Sequence, residues 1–445
     1  MSFEEVALIK VDVRTARIYE HGWQSWSPSG TYPVDIRASY RPARAVSQIH
    51  SYRPGRPAPE TGFQGEGLLA VNPGNGDAVT VFAVESRGDV PSIRAAFIDG
   101  HLLVSADGPV RSSPAGSVAE GLAAWADRYA TRVGVGPIRP APTAWCSWYH
   151  YFADVTEADI LENLAAIDKL DLPIDVIQID DGWQSEIGDW LTLSGRFESL
   201  SDVVGRVRDT GRRTGIWVAP FLAGRRSQVF AEHPEWLIDG VSAGHNWDED
   251  LFGLDLTHPG VQDHLRRTFT MLRDVGIDYF KIDFLYAGAL EGPRRTDAAP
   301  LDAYRSGVEL IRQTIGPQAY LLGCGAPIMP SVGLFDACRI SADTAPHYAP
   351  LDGDPAQPSQ LGATFSTVGR AFQHGRFWVN DPDCIVARPA VERREEWAEV
   401  VDRYGGLRAS SDRIADLDDW GLATTRRLLE QAPPPVPFPA ARPGG

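Results

Sequence analysis

The sequence predicts an α/β protein: a (β/α)8 TIM barrel preceded by a small N-terminal antiparallel β-sandwich-like domain. Three observations carry that expectation. The 445 residues exceed one ordinary compact domain. Residues 1 to about 135 hold only short β-prone runs cut by Gly, Pro and Asp. From Trp145 onward, apolar runs alternate with helix-period patterns eight times. Such alternation implies a parallel sheet buried on both faces, and eight units in roughly 290 residues fit a barrel better than an open sheet.

In the first region (1–135) the strand-like runs include Val6–Ile9, Ala78–Val84 and His101–Val104, and the first long amphipathic helix comes at about Val118–Tyr129. The stretch 136–143, with Gly136-Pro137-Ile138-Arg139-Pro140-Ala141-Pro142, reads as a linker. The barrel is expected over 144–430. Its strands are predicted at Trp145–Tyr149, Val176–Asp181, Gly215–Phe221, Tyr279–Phe284, Tyr320–Gly325, Ala337–Ser341, Arg376–Asp381 and Gly406–Ser410. Between them, Thr156 can cap a helix whose Ile160, Leu164 and Ile167 share a face. Pro259 opens another helix that Gly276 ends, and Ala303–Ile315 supplies a third. The tail 431–445 begins Gln431-Ala432 and runs through Pro433–Pro439, which cannot join a ladder and is expected to be disordered or to hug the surface.

Composition narrows the function. A net charge of −17 is unsuited to neutralising phosphates, so nucleic acid is not an expected partner. No stretch of eighteen apolar residues exists, so no membrane span is expected. The start, Met1-Ser2-Phe3-Glu4-Glu5, carries acid where a signal peptide carries base. Cys146, Cys324, Cys338 and Cys384 form no CxxC pair and no zinc spacing, which points to reduced thiols and a cytoplasmic location.

Barrel strands stay apolar until their C-terminal ends, where active-site loops begin. Here the second ends Ile179-Asp180-Asp181-Gly182-Trp183, the fourth reads Tyr279-Phe280-Lys281-Ile282-Asp283-Phe284, and the sixth leads into Arg339-Ile340-Ser341-Ala342-Asp343. The seventh ends Asn380-Asp381-Pro382-Asp383. One such Asp is most simply a helix N-cap. Several at ends that a barrel brings together make a shared mouth. Lys281 and Asp283, two apart, point to one side of their strand. A core salt bridge is the bland alternative, but buried pairs stabilise weakly, so a site that uses the charges explains them better. Carboxylates accept hydrogen bonds from vicinal hydroxyls, and the thirteen tryptophans supply faces for sugar rings, so the expected ligand is a neutral carbohydrate. A divalent metal is disfavoured because Lys281 and Arg339 would repel it in the same cavity. His21, His150 and His374 have no HxxxH or HxH companion, and no cofactor is expected.

These motifs, with Trp145-Cys146-Ser147-Trp148-Tyr149, Gly215-Ile216-Trp217-Val218-Ala219-Pro220-Phe221, Leu322-Gly323-Cys324-Gly325, Trp378–Asp383 and the upstream Gly22-Trp23-Gln24-Ser25-Trp26-Ser27, occur in the order seen in the α-galactosidases (melibiases) of glycoside hydrolase family 36, which the sequence resembles. The resemblance implies a retaining mechanism in which Asp283 is the nucleophile and Asp343 the general acid/base. It further implies that Asp180 and Asp181 bind the sugar's far hydroxyls, with Lys281 and Arg339 as cationic contacts and Cys324 on the 2-hydroxyl side. Trp148, Tyr149 and Trp217 resemble pocket walls, and Trp26 (or Trp23) an indole lent by the β domain. Lys281 beside Asp283 is expected to hold that carboxyl ionised, while Asp343 must carry a proton.

Three features are expected to depart from the larger family members. The β domain is short, the usual C-terminal β domain is not expected after the barrel, and Pro346-His347-Tyr348 stands where an aromatic pair is expected. Transglycosylation, and hydrolysis of another sugar such as N-acetylgalactosamine or a β-L-arabinose-like pentose, are the alternatives within this chemistry. A carbohydrate-binding protein on a dead barrel is expected to lack one carboxylate, and both are present. Homo-oligomerisation stays open.

Overall fold

The computed structural model describes residues 2–36, 38–42 and 49–438, so the stretch from Pro439 onward lies outside the described residues. The N-terminal region forms two antiparallel sheets. One has the order β1 (Glu4–Lys10), β8 (His101–Ala106), β7 (Ser92–Ile98), β4 (Phe63–Glu66). The other runs β3 (Gly30–Pro33), β2 (Arg17–Glu20), β5 (Leu68–Asn72), β6 (Val79–Ala83), β9 (Arg111–Ala115). Strand alternation in β8 turns Leu102 and Val104 inward, where they meet Ile18, Leu69, Val71 and Phe82 of the second sheet in one apolar cluster.

The second sheet is buried on both faces. Its other side chains, among them Tyr19, Leu68, Ala70 and Val81, belong to a larger cluster that continues into the parallel strands. The helix Val118–Val133 packs there too, with Ser117 capping its start and Gly134, at φ 72°, ending it. Trp125 of this helix donates its indole N–H to Val84 O at 3.1 Å.

Eight parallel strands follow in the order β19 (Val379–Asp381), β18 (Ala337–Arg339), β17 (Tyr320–Gly323), β16 (Tyr279–Ile282), β12 (Arg213–Val218), β11 (Val176–Ile179), β10 (Ala144–Cys146), β20 (Ala409–Ser410). This is the neighbour order of a curled (β/α)8 sheet. The two end strands also meet: Leu407 N–H donates to Asn380 O at 2.9 Å, and Ile385 N–H to Ala409 O at 2.6 Å. All eight predicted strands occur, each shorter than the apolar run that predicts it. The first differs most. It ends at Cys146, and Trp148–Tyr151 is a helical turn. Two helices begin and end on the predicted signals, and the third, expected from Ala303, starts at Pro300. Thr156 and Asp159 form a reciprocal capping box on Glu157–Lys169, and Pro259–Val275 stops at Gly276, whose φ is 112°.

One element has no counterpart in the sequence reading. After β12 the chain leaves the barrel as a three-stranded antiparallel sheet, β13 (Leu222–Gly224), β15 (Glu249–Leu254), β14 (Leu237–Asn246). The described part of the tail hugs the surface, where Phe438 stacks on His374 with ring centroids 4.0 Å apart. No helix among the described residues is long and apolar enough to cross a membrane. All four cysteines are free and buried.

Candidate active site

A recess with about 380 Å³ of empty space opens at the C-terminal ends of the strands. Its charged lining is Asp180 and Asp181 after β11, Lys281 on β16, Asp283 just after β16, and Asp343 in the loop after β18. Its aromatic lining is Trp26, Trp148, Trp217, Trp247 and Phe284, with Asn246 beside them.

Asp283 is held at both oxygens. Trp217 donates its indole N–H to Oδ2 at 3.0 Å, and the Phe284 backbone N–H donates to Oδ1 at 2.7 Å. Trp217 is itself placed by Trp183, whose indole N–H reaches Trp217 O at 2.9 Å. Lys281, expected to hold the neighbouring Asp283 ionised, makes its ion pair with Asp180. Lys281 Nζ lies 3.0 Å from Asp180 Oδ2, because the adjacent strand end brings that carboxylate closer than the next residue on its own face. Burial works against the Lys281 charge, and Asp180, Cys146 and Asp283 together outweigh it, holding the ammonium well above its ordinary pKa.

Asp180 Oδ2 also accepts from Gln178 Nε2 at 2.6 Å and from Cys146 Sγ at 3.3 Å. Asp181 is held by Gln184 Nε2 at 2.7 Å on Oδ1 and by the Trp247 indole N–H at 2.7 Å on Oδ2. Burial, with Asp180 alongside, pushes Asp181 up to about 6 against the pull of those two donors.

Asp343 differs. Arg339 Nη1 donates to its Oδ1 at 2.7 Å, yet burial raises its pKa to about 7, with the negative charges of Asp383 and Asp283 adding to the effect. Arg339 is a three-way hub: its Nε reaches Asp381 Oδ2 at 3.0 Å and its Nη2 reaches Asp383 Oδ1 at 2.7 Å. Asp383 in turn accepts from the Tyr149 hydroxyl and from Thr344 N–H at 2.8 Å. One cation therefore faces three carboxylates beside the recess.

The structure brings Asp283, Asp343, Asp180, Asp181, Lys281, Trp148, Trp217 and Trp26 to the recess wall. Arg339, Tyr149 and Cys324 lie behind it. Tyr149 is buried with its hydroxyl on Asp383, and Cys324 is fully buried after β17, where burial pushes its thiol up. Of the two indoles offered for the β domain, Trp26 lines the recess, whereas Trp23 is buried under the Arg53 guanidinium, 5.0 Å from its ring.

Trp26 is delivered by backbone. Arg370 donates to the carbonyls of Ser25 at 2.6 Å, Gln24 at 2.8 Å and Ile340 at 2.7 Å. Ser25 N–H reaches Ala326 O at 3.0 Å. The indole then lies edge-on to Phe284, centroids 4.9 Å apart, over Gly325. A Cβ added at Gly325 would stand 3.0 Å from the Trp26 ring, and its φ of 54° is one that glycine adopts without strain.

The sequence reading passed over Trp247, Asn246 and Arg370. Asn246-Trp247-Asp248, between two strand-like runs, carried a usable turn signal. Arg370 carried none. Among the described residues no three His, Cys, Asp or Glu side chains are grouped to hold a metal ion.

Residues 138–294 match the Melibiase family model. Over 162 residues the chain is 28% identical to the bifunctional α-galactosidase/sucrose kinase AgaSK of Mediterraneibacter gnavus, a match covering 33% of this chain and 17% of that protein. Over 147 residues it is 29% identical to the α-galactosidase of Escherichia coli, covering 30% of this chain and 21% of that one. These matches thus span about a fifth of the relatives' length. A solved structure, the α-galactosidase TtGalA of Thermus thermophilus in complex with p-nitrophenyl α-D-galactopyranoside, superposes with a TM-score of 0.79 at 26% identity, covering 96% of this chain and 94% of that chain. Its stachyose complex gives a TM-score of 0.80 over 96% of each chain. Motif order, barrel and relatives agree in likening this chain to the family 36 melibiases of the glycoside hydrolases.

Proposed function

We propose that this protein hydrolyses terminal α-D-galactosyl residues with retention of configuration. The observation that carries the reading is the pair of unlike carboxyls in one aromatic-walled recess. Asp283 accepts N–H hydrogen bonds at both oxygens, which suits an ionised nucleophile. Asp343, raised to about 7, retains its acid form in a substantial fraction at neutral pH, and with Arg339 on Oδ1 the proton belongs on Oδ2. Asp283 attacks the anomeric carbon as Asp343 gives its proton to the departing oxygen, and the glycosidic C–O bond breaks. Water then attacks the glycosyl-enzyme, losing a proton to Asp343, and the Asp283 ester is released. Asp180, Asp181 and Lys281 bind hydroxyls, and the N-terminal region lends Trp26 as a stacking face. The galactoside complexes of TtGalA support the choice of sugar.

Azide tests both roles. Asp283→Ala should lower hydrolysis by several orders of magnitude for every α-galactoside, and azide entering from the vacated side should give the β-galactosyl azide. Asp343→Ala removes an acid worth typically about 10²–10⁴-fold, but spares an activated aryl leaving group, and azide should then give the α-azide. Products read by NMR coupling constants in the reverse order would exchange the two roles. Full activity in both variants would sink the reading.

A further inference from the structure

We propose that Trp247 is a specificity-determining residue: its indole N–H fixes Asp181 as the acceptor of neighbouring sugar hydroxyls, and its ring closes the wall beside them. The proposal rests on the glycosidase reading above. Trp247 stands at the tip of the β14–β15 hairpin, outside the eight barrel strands, yet it lines the recess. It donates to Asp181 Oδ2 at 2.7 Å, lies 5.0 Å from Phe284 and stands 6.2 Å from Trp217, centroid to centroid.

The backbone shows that this placement is held against local preference. Asn246 pairs with Glu249, so Trp247 and Asp248 form a two-residue turn, and both have positive φ, 51° and 56°. Such a turn favours Asn-Gly, and side chains like these strain it. The surroundings impose the conformation. Arg226 Nη1 donates to Trp247 O at 3.1 Å, and Arg226 Nη2 pairs with Glu249 Oε1 at 3.2 Å. Packing alone would be served by Phe, which strains the turn equally and brings no donor. The feature that requires tryptophan is the N–H on Asp181. With one side-chain donor on each oxygen, the carboxylate is locked in one rotation, and the lone-pair capacity these donors leave can meet a hydroxyl.

The test is a cycle between enzyme and substrate. Wild type, Trp247→Phe and Asp181→Asn are each assayed with p-nitrophenyl α-D-galactopyranoside and its monodeoxy analogues. Asp181→Asn identifies the hydroxyl that Asp181 reads, as the position whose removal costs the variant much less than the wild type. Trp247→Phe should raise KM about tenfold or more, lower kcat by no more than about threefold, and show reduced discrimination at that same position. Trp247→Ala should add acceptance of bulkier substituents beside it. A Trp247→Phe enzyme with wild-type KM and undiminished discrimination overturns the proposal, as does a variant impaired equally on every analogue. If the wild-type protein turns over no α-galactoside, the proposed function fails instead, and the two failures are distinct.

Discussion

Arg339 and Arg370 are both fully buried guanidinium groups, and they act in opposite ways. Arg339, at the end of β18, has three carboxylates around it, Asp343, Asp381 and Asp383. Burial works against its charge, and Asp381 and Asp383 foremost hold it well above its ordinary pKa. Arg370 clasps backbone carbonyls from the Trp26 loop and from Ile340. Burial lowers it to about 10, with little to oppose the shift. A buried charge therefore does not by itself mark a reactive site. Its partners do: carboxylates beside a recess form an adjustable ionic cluster, while carbonyls make a clamp between two parts of the chain.

Substitution should separate the two regions. Arg339→Met leaves three neighbouring carboxylates without their cation, a change in the class that costs about 3–5 kcal/mol. Activity should be lost with it. Arg339→Lys keeps a charge but loses the fork that reaches three acids, so it should fold and still lose kcat by about 100-fold or more. Arg370→Met should lower the melting temperature and raise KM through a loosened Trp26, while kcat of the folded fraction stays within a few-fold. Equal losses of kcat at both sites would erase the distinction.

A smaller effect concerns pH. With Asp343 as the proposed proton donor, kcat/KM should fall as pH rises through about 7, where the acid form is depleted. Asp383 is one of the negative charges that raise Asp343, and Asp383→Asn should move that basic limb downward. A limb that stays in place would mean that Asp383 merely braces Arg339. The smallest change in stability is expected at the aromatic wall. Trp26→Ala should raise KM strongly and leave the melting temperature nearly as it was, because the loop is held by its backbone to Arg370 and Ala326. A large loss of stability would make Trp26 a packing residue of the junction.

Much of this was legible in the chain. The eight apolar runs name the eight parallel strands because a strand buried on both faces needs apolar side chains throughout. The Asp residues that follow them mark the mouth because such ends converge. Thr156, Pro259 and Gly276 mark helix ends through local backbone chemistry, which needs no distant partner. The turn at Trp148 was hidden, since Trp-Tyr-His-Tyr is as apolar in a strand as in a helix that closes the recess.

The sequence by itself determined the barrel, the strand ends and the candidate carboxyls, because periodicity and capping are local and repeat along the chain. Tertiary structure alone decided the partnerships. Lys281 bonds Asp180, 101 residues away, and Arg370 reaches Ser25, 345 residues away. Trp26 rather than Trp23 enters the recess, and a hairpin outside the barrel returns Trp247 to Asp181. Hydrogen bonds and ion pairs act over about 3 Å of space, whatever the separation in sequence. No local pattern encodes which distant groups the fold will bring that close.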